Sequence, residues 1–188
     1  MSIRQSSLLR AACIALCFSA CVSSSITSNK SDSLKGPFKK IFMVPHTDVI
    51  VEPFTGPLID NIKNDFARRN IDLMTEVMIE KEKGSLSLDP ASDNENINTE
   101  INKFQPQAVL FMSVTKIETY TGVISGRGSN GATFDLRLFE SGDPKTPGWR
   151  ASYVVYGNSG ISMAVKKGTR TLLAKLEDDN IILHRQTT

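Results

Sequence analysis

Short apolar runs alternating with amphipathic stretches organise the chain from residue 38 onward. Lys40-Ile-Phe-Met-Val44 is a continuous apolar, β-leaning run ended by Pro45, the pattern of a strand buried on both faces. Thr55-Gly-Pro57 then opens a helix, with Thr55 or Gly56 as the cap and Pro57 in the first turn. Leu58, Ile59, Ile62 and Phe66 share one face of that helix, while Asp60, Lys63, Asn64, Asp65 and Arg68 fall elsewhere. Arg68-Arg-Asn70 suit its C-terminus, where cations and a residue tolerant of the left-handed region are favoured. Ile71 to Ile79 predicts a second strand, and the polar stretch from Glu80 to Asn94 a long loop. Asp93 or Asn94 caps a second helix carrying Ile97, Ile101 and Phe104, which Pro106 ends.

Ala108-Val-Leu-Phe-Met112 is the most apolar run of the body and predicts a central strand that continues to Thr121. Phe134, Leu136 and Leu138 alternate with Asp135 and Arg137, a strand with one buried face. After the turn-rich segment from Glu140 to Gly148, Trp149 to Tyr156 is its hairpin partner. Ile161, Val165, Leu172 and Leu176 recur along a closing helix in which Ala164 and Gly168 permit close approach to the sheet. The order β-α-β-α-β-β-β-α gives an α/β class, an α+β sandwich with a mixed sheet of about five strands whose later members are antiparallel.

The N-terminal segment follows a different logic. Arg4 and Arg10 form a basic n-region, Ala11 to Phe18 a short apolar stretch, and Ser19-Ala20 small residues directly before Cys21. The apolar stretch is too short to cross a bilayer, which takes about 20 apolar residues. Phe18-Ser-Ala-Cys21 reads as the recognition site of a lipoprotein signal, with Phe18 in place of the usual Leu, Val or Ile. Residues 1–20 are then a lipoprotein signal peptide and the Cys21 sulfur is the site of lipidation. The alternative is an ordinary secretory signal that leaves Cys21 as a free thiol. Of the 3 cysteines, Cys13 and Cys17 leave with the signal, so the processed chain has no disulfide and no thiolate metal site.

Val22 to Lys35 is rich in Ser, Thr, Asn, Asp and Lys, a composition that predicts a flexible tether over residues 21–36 and a single α/β domain over 37–188. Val22 stands where an Asp would be an inner-membrane retention signal, which favours sorting to the outer membrane on its periplasmic face. Loss of Arg4 and Arg10 leaves the remaining basic residues equal in number to the 20 acids. That balance argues against nucleic acid as a partner. Attachment to the membrane is expected through the lipid on Cys21, since more than one acyl chain makes a stable anchor without a polybasic segment.

Candidate chemistry is sparse. Gly126-Arg-Gly-Ser-Asn-Gly131 matches the dinucleotide fingerprint in its letters, but a strand follows it where the fingerprint needs a helix, so it reads as a hairpin loop. His46 and His184 are the 2 histidines and lie far apart in sequence. His46 follows the first strand at the end where α/β folds place ligands. It reads first as a hydrogen-bonded loop histidine and second as the centre of a small-ligand site or a hydrolase. Asp89, Asp93 and Glu95 lack the glycine and terminal glutamate of an EF-hand calcium loop, and neither Ser125 nor Ser159 sits in a nucleophile elbow. Trp149 opens a strand after a turn, a place that suits core packing first and a partner contact second. No catalytic, metal or cofactor set emerges, and no enzymatic activity is expected.

The run Pro106-Gln-Ala-Val-Leu-Phe-Met-Ser-Val-Thr, the strand Ala132-Thr-Phe-Asp-Leu-Arg-Leu-Phe, Trp149-Arg-Ala and the closing helix resemble small envelope lipoproteins with the fold of the TolB amino-terminal domain, of the curli secretion and penicillin-binding-protein activator type. The resemblance implies a non-enzymatic scaffold that docks an envelope protein or associates with itself, and carries over no catalytic residue.

Overall fold

The computed structural model describes residues 22–48, 52–80, 95–121, 128–157 and 161–184. Seven strands, β1 (Val22–Lys30), β2 (Lys40–Asp48), β3 (Asp72–Thr75), β4 (Met78–Glu80), β5 (Ala108–Thr121), β6 (Gly128–Glu140) and β7 (Trp149–Gly157), form one sheet. The helices among the described residues are α1 (Glu52–Arg68), α2 (Glu95–Phe104) and α3 (Ile161–Asp178). The strand order is β1-β7-β6-β5-β2-β3, with β4 continuing the outer edge of β2 beyond β3. β2 is parallel to β5, β3 and β4, whereas β5, β6, β7 and β1 are antiparallel in sequence. The expected α+β sandwich with a mixed sheet is therefore present, with the antiparallel half built from the later strands.

Strand alternation divides the side chains between two layers. Ile41, Met43, Leu110, Met112, Phe134, Leu136, Trp149 and Tyr153 point to the face covered by α1 and α3, and join Leu58, Ile62, Phe66, Leu172 and Leu176 in the main core. Phe42, Val44 and Val109 point the other way, where Ile97, Ile101 and Phe104 of α2 pack on them. Burial of each such side chain contributes about 1.5–3 kcal/mol. The Phe134 ring stacks on Tyr153 at 5.5 Å and on Phe54 at 6.1 Å, tying α1 to the middle of the sheet. Gly168 sits where a Cβ would strike the Tyr153 hydroxyl, so the absence of a side chain sets how closely α3 lies on β7.

Several local expectations are corrected. Residues 22–30, expected as part of a tether, form β1, which pairs antiparallel with β7 over its whole length from Val22↔Gly157 to Lys30↔Trp149. Its inward positions are Val22, Ser24, Ile26, Ser28 and Lys30, and only two of these are apolar, so composition concealed the alternation. β2 runs on through Pro45, because the proline falls between the β3 and β4 pairings, where no outer-edge neighbour needs its missing N–H. The strand expected over Ile71 to Ile79 is for the same reason split into β3 and β4. Helix α1 begins at Glu52, which buries Thr55 inside the helix in place of a capping role. β6 starts at Gly128, so part of the glycine-rich run expected as a hairpin loop is strand; Gly126 and Arg127 lie outside the described residues. Cys21, Asp89, Asp93, Ser125 and Ser159 lie outside them too.

Candidate functional site

Among the described residues, the helices do not cover both faces of the sheet. α2 covers β2 and the neighbouring part of β5, and no described helix lies on the same face of β6, β7 and β1. Outward residues of these three strands line up in rows by register. Arg137, Arg150 and Asn29 form one, Asp135, Ser152 and Thr27 the next, and Thr133, Val154 and Ser25 a third. Arg150, Ser152, Val154 and the β1 residues of these rows are exposed. Within this surface Arg137 donates through Nε to Asp135 at 2.6 Å, which leaves Arg150 as the outstanding charge of the open patch. β1 is also the edge of the sheet, and its outer backbone has no neighbouring strand among the described residues. A polar edge of this length, without proline, is open to pairing with another chain.

Hydrogen bonds hold β1 together with the packing of Val22 and Ile26 on the main core. The Ser28 hydroxyl donates to the Asp179 carboxylate at 2.5 Å, Lys30 Nζ donates to the Asp179 carbonyl at 2.8 Å, and Ser24 bonds Thr171 at 2.5 Å. Lys167 donates to the Val22 carbonyl at the strand's start. Asp179 also accepts from Lys175 Nζ at 2.8 Å and Trp149 Nε1 at 2.7 Å. Burial alone would raise its pKa, but hydrogen bonds from Lys175, Ser28 and Trp149, with the Lys175 charge, outweigh it and hold the carboxyl below its ordinary range. Trp149 is fully buried by this arrangement, so the partner-contact reading of this residue is corrected to a core role. Asp179 and Ser28 were missed in the sequence because neither sits in an apolar pattern. The signal that marks them is the alternation of Ser24, Ile26, Ser28 and Lys30, short of apolar residues but regular.

His46 lies inside β2, half-buried, and not in a loop after it. In register it neighbours Ser113 of β5, which neighbours Asp135 of β6. The sheet thus brings a histidine, a serine and an aspartate into one row, which sequence spacing did not reveal. Their order is wrong for acyl transfer: a nucleophile's base must be oriented by the acid, and here serine stands between the two. Strands lie about 4.8 Å apart, which puts His46 and Asp135 about 10 Å from each other. Asp135 is moreover engaged by Arg137.

Two concave regions lie among the described residues. An apolar groove of about 560 Å³ runs between α2 and the β5–β6 pair, lined by Ile101, Pro106, Val109, Phe111 and Phe139. A polar cleft of about 470 Å³ separates α1 from α3, where Arg69 pairs with Glu177 and Arg68 lies 3.6 Å from Asp65. Among the described residues no cluster of three or more His, Cys, Asp or Glu is placed to hold a metal ion. No helix among them is long and apolar enough to cross a membrane.

No family model and no curated protein matches the chain. Solved structures of similar fold include a variant of the PelC dodecamer from Paraburkholderia phytofirmans, with a TM-score of 0.51 and 17% identity over 84% of this chain and 98% of that one. A second PelC dodecamer structure gives 0.49 at 18% identity over 87% of this chain and 100% of that one. Lipoprotein GNA1162 from Neisseria meningitidis gives 0.44 at 12% identity, covering 74% of this chain and 99% of that one. At such identities the likeness to PelC is one of fold.

Proposed function

We propose that the protein is a lipoprotein of the bacterial cell envelope, anchored to the outer membrane through Cys21, that acts without catalysis as a docking or assembly module on the periplasmic side. The observation that carries this reading is the half of the sheet that no described helix covers: β6, β7 and β1 present a polar surface and an edge without a neighbouring strand among the described residues, and that edge strand begins one residue after Cys21. A polar surface with one outstanding arginine fits a protein partner or a further copy of the chain better than a small substrate. The likeness in fold to PelC, a dodecamer, is in keeping with self-association. Photocrosslinkers placed at Thr27 and Ser152 in cells, with Lys63 on the far side as control, test it. Discrete adducts from the first two positions and not the third are expected; adducts from Lys63 alone, or from none, count against the docking surface.

A second reading, a small-ligand site or hydrolase centred on His46, draws its support from the register that sets Ser113 beside it. The residue order favours binding over hydrolysis. An unchanged phenotype and ligand response in His46→Ala would leave that reading without support.

A further inference from the structure

β1 and α3 run in the same direction. Val22 is bonded to Lys167, Ser24 to Thr171 and Ser28 to Asp179, so the start of β1 and the start of α3 share one end of the molecule. Cys21 is the residue before Val22, and with β1 paired from Val22 onward there is no spacer between a lipid on Cys21 and the folded body. One residue of strand spans about 3.3 Å. The end that carries Val22, Gly157 and Ile161 is therefore held against the bilayer, not suspended above it.

This end is unevenly charged. Met163, Lys166 and Lys167 are exposed on the first two turns of α3, and Lys166 has no partner among the described residues. No acid occupies the first turn of α3, whereas Glu177 and Asp178 stand in its last turn. Acids at a helix C-terminus oppose the helix dipole; the pair with Arg69 accounts for Glu177, and no such pair among the described residues accounts for Lys166 at the other end.

We propose that this flank is a membrane-seating surface: Lys166 and Lys167 contact anionic phospholipid headgroups and Met163 the interface beside them, tilting the anchored body onto α3. The proposal rests on the lipid anchor at Cys21 and adds the face presented to the membrane. Each lysine near an anionic bilayer strengthens the seated state by about fivefold. Arg170 follows Lys166 by one turn on the same exposed face, about 6 Å further along the helix from Ile161, and contributes less than Lys166.

The test uses the processed lipoprotein reconstituted in vesicles. Cys13 and Cys17 are gone with the signal and the Cys21 sulfur is alkylated, so one introduced cysteine takes a fluorophore uniquely, at Met163→Cys or, as control, at Asp178→Cys. Vesicles of phosphatidylcholine alone, or mixed with phosphatidylglycerol, carry spin-labelled headgroups as quencher. Quenching at position 163 is expected to rise with phosphatidylglycerol and to exceed that at 178. Lys166→Gln lowers the seated-to-lifted ratio by about fivefold, Lys166→Gln with Lys167→Gln by about twenty-five-fold, and Arg170→Gln by less than Lys166→Gln. Lys166 makes no bond to β1, so its variant reports charge without disturbing the strand. Quenching at 163 that ignores both phosphatidylglycerol and Lys166→Gln, or that is matched at 178, overturns the proposal. Failure to float with either vesicle removes the Cys21 anchor, and the seating surface with it.

Discussion

The indole N–H of Trp149, at the start of β7, donates to the carboxylate of Asp179 just past the end of α3, at 2.7 Å. The same carboxylate accepts from Ser28 of β1 and from Lys175 of α3. One acid thus joins the edge strand, the strand beside it and the helix that covers both. Replacing it by Asn removes the charge and misaligns the bond to Lys175. Hydrogen bonds to charged groups contribute about 1.5–3 kcal/mol each, so Asp179→Asn is expected to cost about 2 kcal/mol in urea unfolding. Limited proteolysis should show cleavage between residues 22 and 36 before the rest of the body is cut.

Acid should act through the same group. The folded-state pKa of Asp179 is lowered, so its contribution to stability is complete above the ordinary carboxylate range of about 4 and is lost as pH falls through the depressed folded value. The unfolding curves of the native chain and Asp179→Asn are expected to differ at neutral pH and to converge below about pH 4. A difference that persists unchanged through that window would show that the carboxylate's charge is not what holds β1.

Tyr153 offers a stabilising change. Its hydroxyl is buried without a hydrogen-bond partner among the described residues, and burial pushes the phenol well above its ordinary pKa. A buried polar group left unpaired costs about 1–3 kcal/mol, so Tyr153→Phe is expected to raise stability by about 1 kcal/mol while keeping the stack on Phe134. Thermal or urea denaturation measures it.

Gly168 is coupled to that hydroxyl. A Cβ at this position meets the Tyr153 oxygen and the Val155 methyls, so Gly168→Ala alone is expected to destabilise by about 1–3 kcal/mol through overpacking. In the Tyr153→Phe background the same change should cost less, and a double-mutant cycle should return a favourable interaction energy of about 1 kcal/mol. Strict additivity would place the strain elsewhere.

The core strands were legible because burial on both faces leaves a continuous apolar run, as in Ile41 to Val44 and Ala108 to Met112. The closing helix was legible from Val165, Leu172 and Leu176 at helical spacing. β1 was not, since Ser24, Ser28 and Lys30 meet α3 through hydrogen bonds, and a polar strand held that way has the composition of a tether. The break of β3 from β4 was hidden too, because Pro45 acts on its neighbour strand and not on its own. Of the candidate site, Cys21 is an expectation that rests on its leader alone and lies outside the described residues. The row of His46, Ser113 and Asp135 was not legible, because register joins residues that sequence keeps far apart.

The anchor on Cys21 is the claim on which the orientation of everything else depends. Mass spectrometry of the N-terminal peptide of protein extracted from its native membrane tests it directly. A chain beginning at Cys21 and carrying diacylglycerol on the sulfur is the expected result. A chain that begins elsewhere, or begins at Cys21 with an unmodified thiol, would contradict it.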